Sequence, residues 1–247
     1  MTAGTPGVKD AAAPKPQRPR DASTLIIVDR SRPAPRVLMG RRRMEQVFMP
    51  GKYVFPGGRV DKTDCLVTSA DELPASETGK LMMRMKGAAS PVRARALALA
   101  AIRETFEEAG LVIGAPLAQA RSAGVPGWDE FFASGYMPML SPLTFFARAI
   151  TPPGRTRRYD TRFFHMDAAA IAHRTDSNDG ELSGLHWLTM DETREFDLSS
   201  ITRVVLEDLM ERIDTESLNT GTGKVPFYHF SKGSFRRDIL ASDLPQP

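Results

Sequence analysis

The stretch from Ser90 to Gly110 constrains this chain more than any other. Ser90 can cap a helix, Pro91 suits the first helical position, and Gly110 supplies the stop. The helix predicted between them runs about five turns. At 3.6 residues per turn, Leu99, Ile102 and Phe106 fall on one side and Glu104, Glu107 and Glu108 on the other. The apolar side is core. The acidic side is the unusual feature.

Three carboxylates at i, i+3 and i+4 repel one another and cost stability unless a cation neutralises them. Hard oxygen donors clustered in this way suit Mg²⁺ or Mn²⁺, which bind carboxylates and substrate phosphates together. Arg103 stands four residues before Glu107 and can hold one carboxylate in place. A solvated acidic face is the ordinary outcome for helical glutamates. However, a string Arg-Glu-x-x-Glu-Glu-x-Gly-aliphatic arises by chance in a chain this long with a probability on the order of 10⁻⁴.

Around this helix the pattern alternates strands with helices. Thr24 to Val28 and Arg36 to Met39 read as strands, and Lys52 to Phe55 as a short extended piece stopped by Pro56-Gly57-Gly58. Residues 59–90 are irregular, with a short helix expected at Leu81–Met85. Leu111–Ile113 is a strand. Leu143–Ile150 and Thr161–Met166 form a hairpin, Glu181–Thr189 is a further strand, and Leu198–Ile213 has helical spacing. A last strand, Val225–Phe230, precedes a basic end at Arg236-Arg237.

Residues 1–21, rich in proline, alanine and basic charge, read as a disordered leader, with order expected from Ser23. No apolar run reaches the roughly 18 residues a membrane span needs. The lone Cys65 excludes an internal disulfide framework, which fits a reducing, cytoplasmic compartment. A net charge of +3 gives no reason to expect DNA as a partner. Gly221-Thr222-Gly223-Lys224 is followed by Val225 and is not a phosphate loop, and the four histidines lack zinc-site spacing.

The acidic segment resembles the second half of the Nudix box, Gly-x5-Glu-x7-Arg-Glu-aliphatic-x-Glu-Glu-x-Gly-aliphatic. Gly58 matches the opening glycine; Arg103, Glu104, Glu107, Glu108, Gly110 and Leu111 match the closing half. Asp64 stands where the first glutamate is expected, and Thr105 replaces an aliphatic residue. Residues 65–102 separate Asp64 from Arg103 where the pattern has seven, an insertion of 31 residues. An interrupted box resembles the Nudix branch that includes peroxisomal coenzyme A diphosphatases. The strings Arg158-Tyr159-Asp160-Thr161-Arg162-Phe163-Phe164 and Val225-Pro226-Phe227-Tyr228 are similar to that branch. A coenzyme A signature of another Nudix branch is matched in part by Leu38, Met39, Arg42, Gly51 and Phe55-Pro56-Gly57-Gly58, with departures at Gly40, Arg43 and Val47.

The resemblance implies an α/β fold (α+β in strict usage), a Nudix-type α/β/α sandwich with a mixed central sheet. It implies one domain over residues 22–215, interrupted at about 65–90, and an extension over 216–247. It implies metal-dependent hydrolysis of a diphosphate bond in a small nucleoside diphosphate derivative, coenzyme A and acyl-CoA among the candidates. Glu104, Glu107, Glu108 and Gly58 would hold Mg²⁺ or Mn²⁺. Arg103 would orient the carboxylates. The base would be a box glutamate, Glu104 or Glu107, or a glutamate on a later loop, Glu181. Arg41, Arg42, Arg43, Lys52 and Arg158 would meet substrate phosphates. Trp128, Phe131, Phe132 and Tyr136 are candidates for stacking a purine, although core packing explains such residues as well. Two rival readings are a non-catalytic Nudix-fold sensor and an RNA-end pyrophosphatase. A homodimer is compatible with any of them.

Overall fold

The computed structural model of the chain describes residues 17–45, 49–120, 122, 124–175, 182–215, 218 and 224–240. Its strands are β1 (Arg20–Asp29), β2 (Arg36–Arg42), β3 (Tyr53–Val54), β4 (Gly57–Arg59), β5 (Leu111–Val112), β6 (Gly114–Pro116) and β7 (Tyr136–Pro138). They continue with β8 (Thr144–Ile150), β9 (Tyr159–Asp167), β10 (His173–Arg174), β11 (Leu182–Thr189), β12 (Val225–Ser231) and β13 (Ser234–Leu240). The helices are α1 (Ala75–Met82), α2 (Pro91–Ala109), α3 (Asp129–Ala133), α4 (Met190–Thr193) and α5 (Ser200–Asp214).

The main sheet runs β11-β2-β1-β9-β8-β12-β13, with β3 paired to β2 and β4 to β1. The β1–β9 and β8–β12 pairs are parallel and the others antiparallel, so the sheet is mixed as expected. β1 is apolar on both faces, which marks a central strand covered on both sides. Leu25 and Ile27 pack with Leu97, Trp128 and Phe164 on the α2 side. Ile26 and Val28 pack with Phe163, Val205 and Leu209 on the α5 side. Each such side chain, fully buried, contributes roughly 1.5–3 kcal/mol. The two apolar layers make the α/β/α sandwich.

α2 has the expected ends. The Ser90 side chain accepts from the Arg93 amide, Pro91 opens the helix, and Gly110 closes it at φ 65°. The order of the first strand differs from expectation: β1 begins at Arg20, because Arg20 and Asp21 pair in parallel with Tyr159 and Asp160. Residues 1–16 of the expected leader lie outside the described residues.

The insertion is part of the core. Val67, Leu73, Leu81 and Met85 join the α2-side cluster. On α1, Glu77 accepts the Phe145 amide at the β8 bulge and pairs with the equally buried Lys80. The helix falls at 75–82 rather than 81–85 because the Met83 and Arg84 carbonyls turn to accept from the Arg148 guanidinium. At the C-terminal end, Arg236 and Arg237 lie in β13 and not in a simple basic tail. Lys232 and Gly233, both at positive φ, make the two-residue turn of a β12–β13 hairpin.

Candidate active site

The last turns of α2 face the strand pair formed by β4 and β1. Arg103, buried, is the hub. Its Nε donates to Asp64 Oδ1 at 2.9 Å and its Nη2 to the Arg59 carbonyl at 2.9 Å. Its Nη1 lies 3.0 Å from Glu104 Oε1 and 3.1 Å from Glu107 Oε2. Burial opposes the Arg103 charge, yet the carboxylates of Asp64, Glu104 and Glu107 hold its pKa above the ordinary arginine value. Asp64 and Arg103 are 39 positions apart. The two halves of the interrupted motif therefore close on one another as if the insertion were absent.

The β4 turn supplies the other wall. The buried Glu108 accepts the Gly57 amide on Oε2 at 2.8 Å. A β-carbon at Gly58 would collide with the Glu104 carboxylate, so a larger residue there would push that carboxylate away from the turn. The three glutamates are graded in exposure rather than equal. Glu108 is buried, Glu104 is half-buried, and the Glu107 side chain is 42% exposed. Burial pushes the Glu104 carboxyl up to about 7, against the pull of Arg103 and with a further push from Glu107. Burial also raises the Glu107 carboxyl above its usual range, and Arg103 opposes that rise.

Sequence reasoning gave Asp64 no role in the site and offered Trp128 only as a stacking candidate, not as a partner of Asp64. Asp64 is wholly buried; it accepts from Arg103, from the Asp61 amide and from the Trp128 indole N–H at 3.0 Å. Only its alignment with the first box glutamate could have marked it. Trp128, Phe131 and Phe132 are fully buried, packed edge to face, and cannot stack a ligand. Tyr136 alone of the four is partly exposed, and it stacks on His173.

The basic candidates divide into two groups. Arg41, Arg42 and Lys52 lie on the β2–β3 hairpin that leads directly into Gly57. Arg41 donates to the Gly51 carbonyl at 3.3 Å, and Lys52 pairs with Asp197. Arg43 is exposed in the loop after β2. Arg158 is engaged elsewhere: it holds the Thr151 and Gln17 carbonyls at 3.0 and 2.7 Å, tying the β8–β9 loop to the start of the chain. Glu181 lies outside the described residues.

Among the described residues no three histidine, cysteine or acidic side chains already converge as a metal cluster. The donor set nevertheless fits a hard divalent ion. Glu104 and Glu108 both reach the Gly57-Gly58 turn, where backbone carbonyls add oxygen donors. One arginine serves Asp64, Glu104 and Glu107, which leaves negative charge in excess.

No family model matches the chain. The acyl-coenzyme A diphosphatase NUDT19 of Gallus gallus is 26% identical over 79% of this chain, which spans 60% of that relative's length. A NUDIX hydrolase from Alicyclobacillus acidocaldarius, solved by crystallography, aligns with a TM-score of 0.55 at 24% identity, over 77% of this chain and 90% of that one.

Proposed function

From a chain that has the Nudix hydrolase fold and resembles the coenzyme A diphosphatases, we propose a metal-dependent diphosphatase. Its substrate is a nucleoside diphosphate linked to another moiety, with coenzyme A or an acyl-CoA as the leading class. One observation carries the reading. Arg103 binds Asp64 from one half of the motif and Glu107 from the other, across an insertion that packs away into the core.

Glu104 and Glu108, with the Gly57-Gly58 carbonyls, are the residues that would hold Mg²⁺ or Mn²⁺. A bound divalent ion supplies charge neutralisation on the diphosphate and lowers the pKa of an attacking water. Arg103 fixes the carboxylate positions and is itself too enclosed to meet substrate. Glu107 faces water with a raised carboxyl and is placed to accept a proton from the nucleophile. Glu181 is the alternative base. Arg41, Arg42, Arg43 and Lys52, on the approach to Gly57, are placed to receive the phosphates. The resemblance to an acyl-coenzyme A diphosphatase supports the substrate class.

The test is hydrolysis of a panel holding coenzyme A, acyl-CoA, ADP-ribose, dinucleotides and 5′-triphosphate RNA, with Mg²⁺ and with Mn²⁺, beside Glu108→Gln. Metal-dependent turnover of coenzyme A or its esters, lost in the variant, is expected. Preferred turnover of the RNA would move the assignment to an end-processing enzyme. Ligand-induced thermal stabilisation without turnover would make the chain a sensor.

A further inference from the structure

β13 closes one end of the main sheet. Among the described residues it pairs with β12 alone, so its outer edge carries backbone donors and acceptors that no other described strand meets. Proteins blunt such an edge with charge, proline or short length, because a free edge is a template for another chain. β13 has seven residues, no proline, and two large apolar side chains in water: Phe235 is 53% and Ile239 42% exposed.

The order of its residues, Ser-Phe-Arg-Arg-Asp-Ile-Leu, is self-complementary. The hairpin register places Phe235, Arg237 and Ile239 on the α5 side of the sheet, opposite Phe230, Tyr228 and Pro226. Arg236 and Asp238 fall on the other side. Two copies paired antiparallel about a two-fold axis at Arg237 bring Phe235 against Ile239 of the second copy and Arg236 against Asp238 of the second copy. Symmetry repeats each pair at the other end. Moving the axis by one residue puts Phe235 against Arg237 instead, and both matches are lost.

The groups involved are prepared for this arrangement. Among the described residues the Arg236 guanidinium has no acceptor. Asp238 meets Arg84 and His229 through Oδ2 alone, which leaves Oδ1 for an incoming arginine. Arg237, which sits on the axis, is drawn back onto its own sheet by Asp208 at 3.0 Å, so the two central arginines each bring a counter-ion. We propose that a second copy of this chain docks on β13, joining two sheets edge to edge in a closed dimer.

Sedimentation of the full chain tests this, with Arg236→Asp and Ile239→Lys beside it. The expected wild-type mass is twice 27.2 kDa. Arg236→Asp sets two aspartates against each other at both ends and should weaken the dimer at least tenfold. Ile239→Lys, on the opposite face of the strand, should do the same. Melting temperatures confirm that both variants stay folded. Protection of the β13 amides from hydrogen exchange should rise with protein concentration. A monomer at about 100 μM overturns the proposal. So does a dimer that neither variant weakens, because its interface lies elsewhere. Protection that is independent of concentration overturns it too, because the chain's own segments then cover the edge.

Discussion

Two networks of buried charge share one face of the sheet, and they are unbalanced in opposite directions. At the end of α2, one arginine, Arg103, serves three carboxylates, Asp64, Glu104 and Glu107. Across β8 and β9, two arginines meet mainly one carboxylate. Arg148 holds Asp160 at 2.8 and 2.7 Å, while Arg162 takes the Asp160 carbonyl and Asp21. The Nε and Nη2 of Arg162 and the Ser23 hydroxyl beside it have no partner among the described residues. Both networks cost desolvation energy, so neither is explained by stability alone. What separates them is access. The two arginines and Asp160 are sealed, and only Asp21 at the network's edge reaches solvent, whereas the carboxylate network carries its surplus charge to water at Glu107. Surplus charge that meets solvent can be completed by a ligand. Surplus charge behind a seal can only hold strands together.

Four measurements would break or sharpen that contrast. The largest effect is expected for Glu104→Gln. Turnover should fall by roughly 10²–10⁴ while the melting temperature holds or rises, since a repelling carboxylate is removed. Parallel losses of turnover and stability would erase the distinction between the networks. Asp160→Asn should do the reverse. Leaving the buried Arg148 without its counter-charge, and Arg162 with Asp21 alone, costs about 3–5 kcal/mol of unfolding free energy, read by urea titration. The surviving folded molecules should keep their kcat/KM.

His165 supplies a third measurement. Burial, reinforced by Arg212, lowers its pKa to about 4, so the unfolded chain takes up a proton first as pH falls. Stability is therefore full above about pH 6.5 and declines towards pH 4, by as much as about 3 kcal/mol. His165→Gln should flatten that slope. The smallest effect belongs to Trp128→Phe, which removes one hydrogen bond to the charged Asp64 and should cost about 1.5–3 kcal/mol. Turnover should drop with it only if Asp64 positions Arg103.

The sequence made some parts of the molecule legible and concealed others for identifiable reasons. α2 was readable because its determinants are local: a serine cap, a proline at the start and a glycine at the end. The β8–β9 hairpin and α5 were readable from apolar spacing. β13 was missed because Phe235 and Ile239 face water among charged neighbours, so neither strand nor helix periodicity stands out there. The order of the insertion was missed because it depends on partners far along the chain. Glu77 needs Phe145, and the Met83 and Arg84 carbonyls need Arg148. In the candidate site the helical glutamates and Arg103 were visible. Their graded burial was not, because it is set by the Gly57-Gly58 turn and the wall of Trp128.

The 39-position separation between Asp64 and Arg103 has a kinetic consequence. In an uninterrupted motif the corresponding contact closes a loop of about eight residues, nearly within one helix and its preceding turn. Here the closing entropy is greater by about 1.4 kcal/mol, on the logarithmic scaling of loop cost with length. That deficit is met by the intervening segment packing Val67, Leu73, Leu81 and Met85 into the core. The Asp64 anchor of Arg103 is thus a product of tertiary assembly, whereas Glu104, Glu107 and Glu108 share one side of α2 as soon as that helix forms. A chain that has formed only its helices already lines up the repelling glutamates, but its Arg103 is not yet held by Asp64 against the Gly57-Gly58 turn.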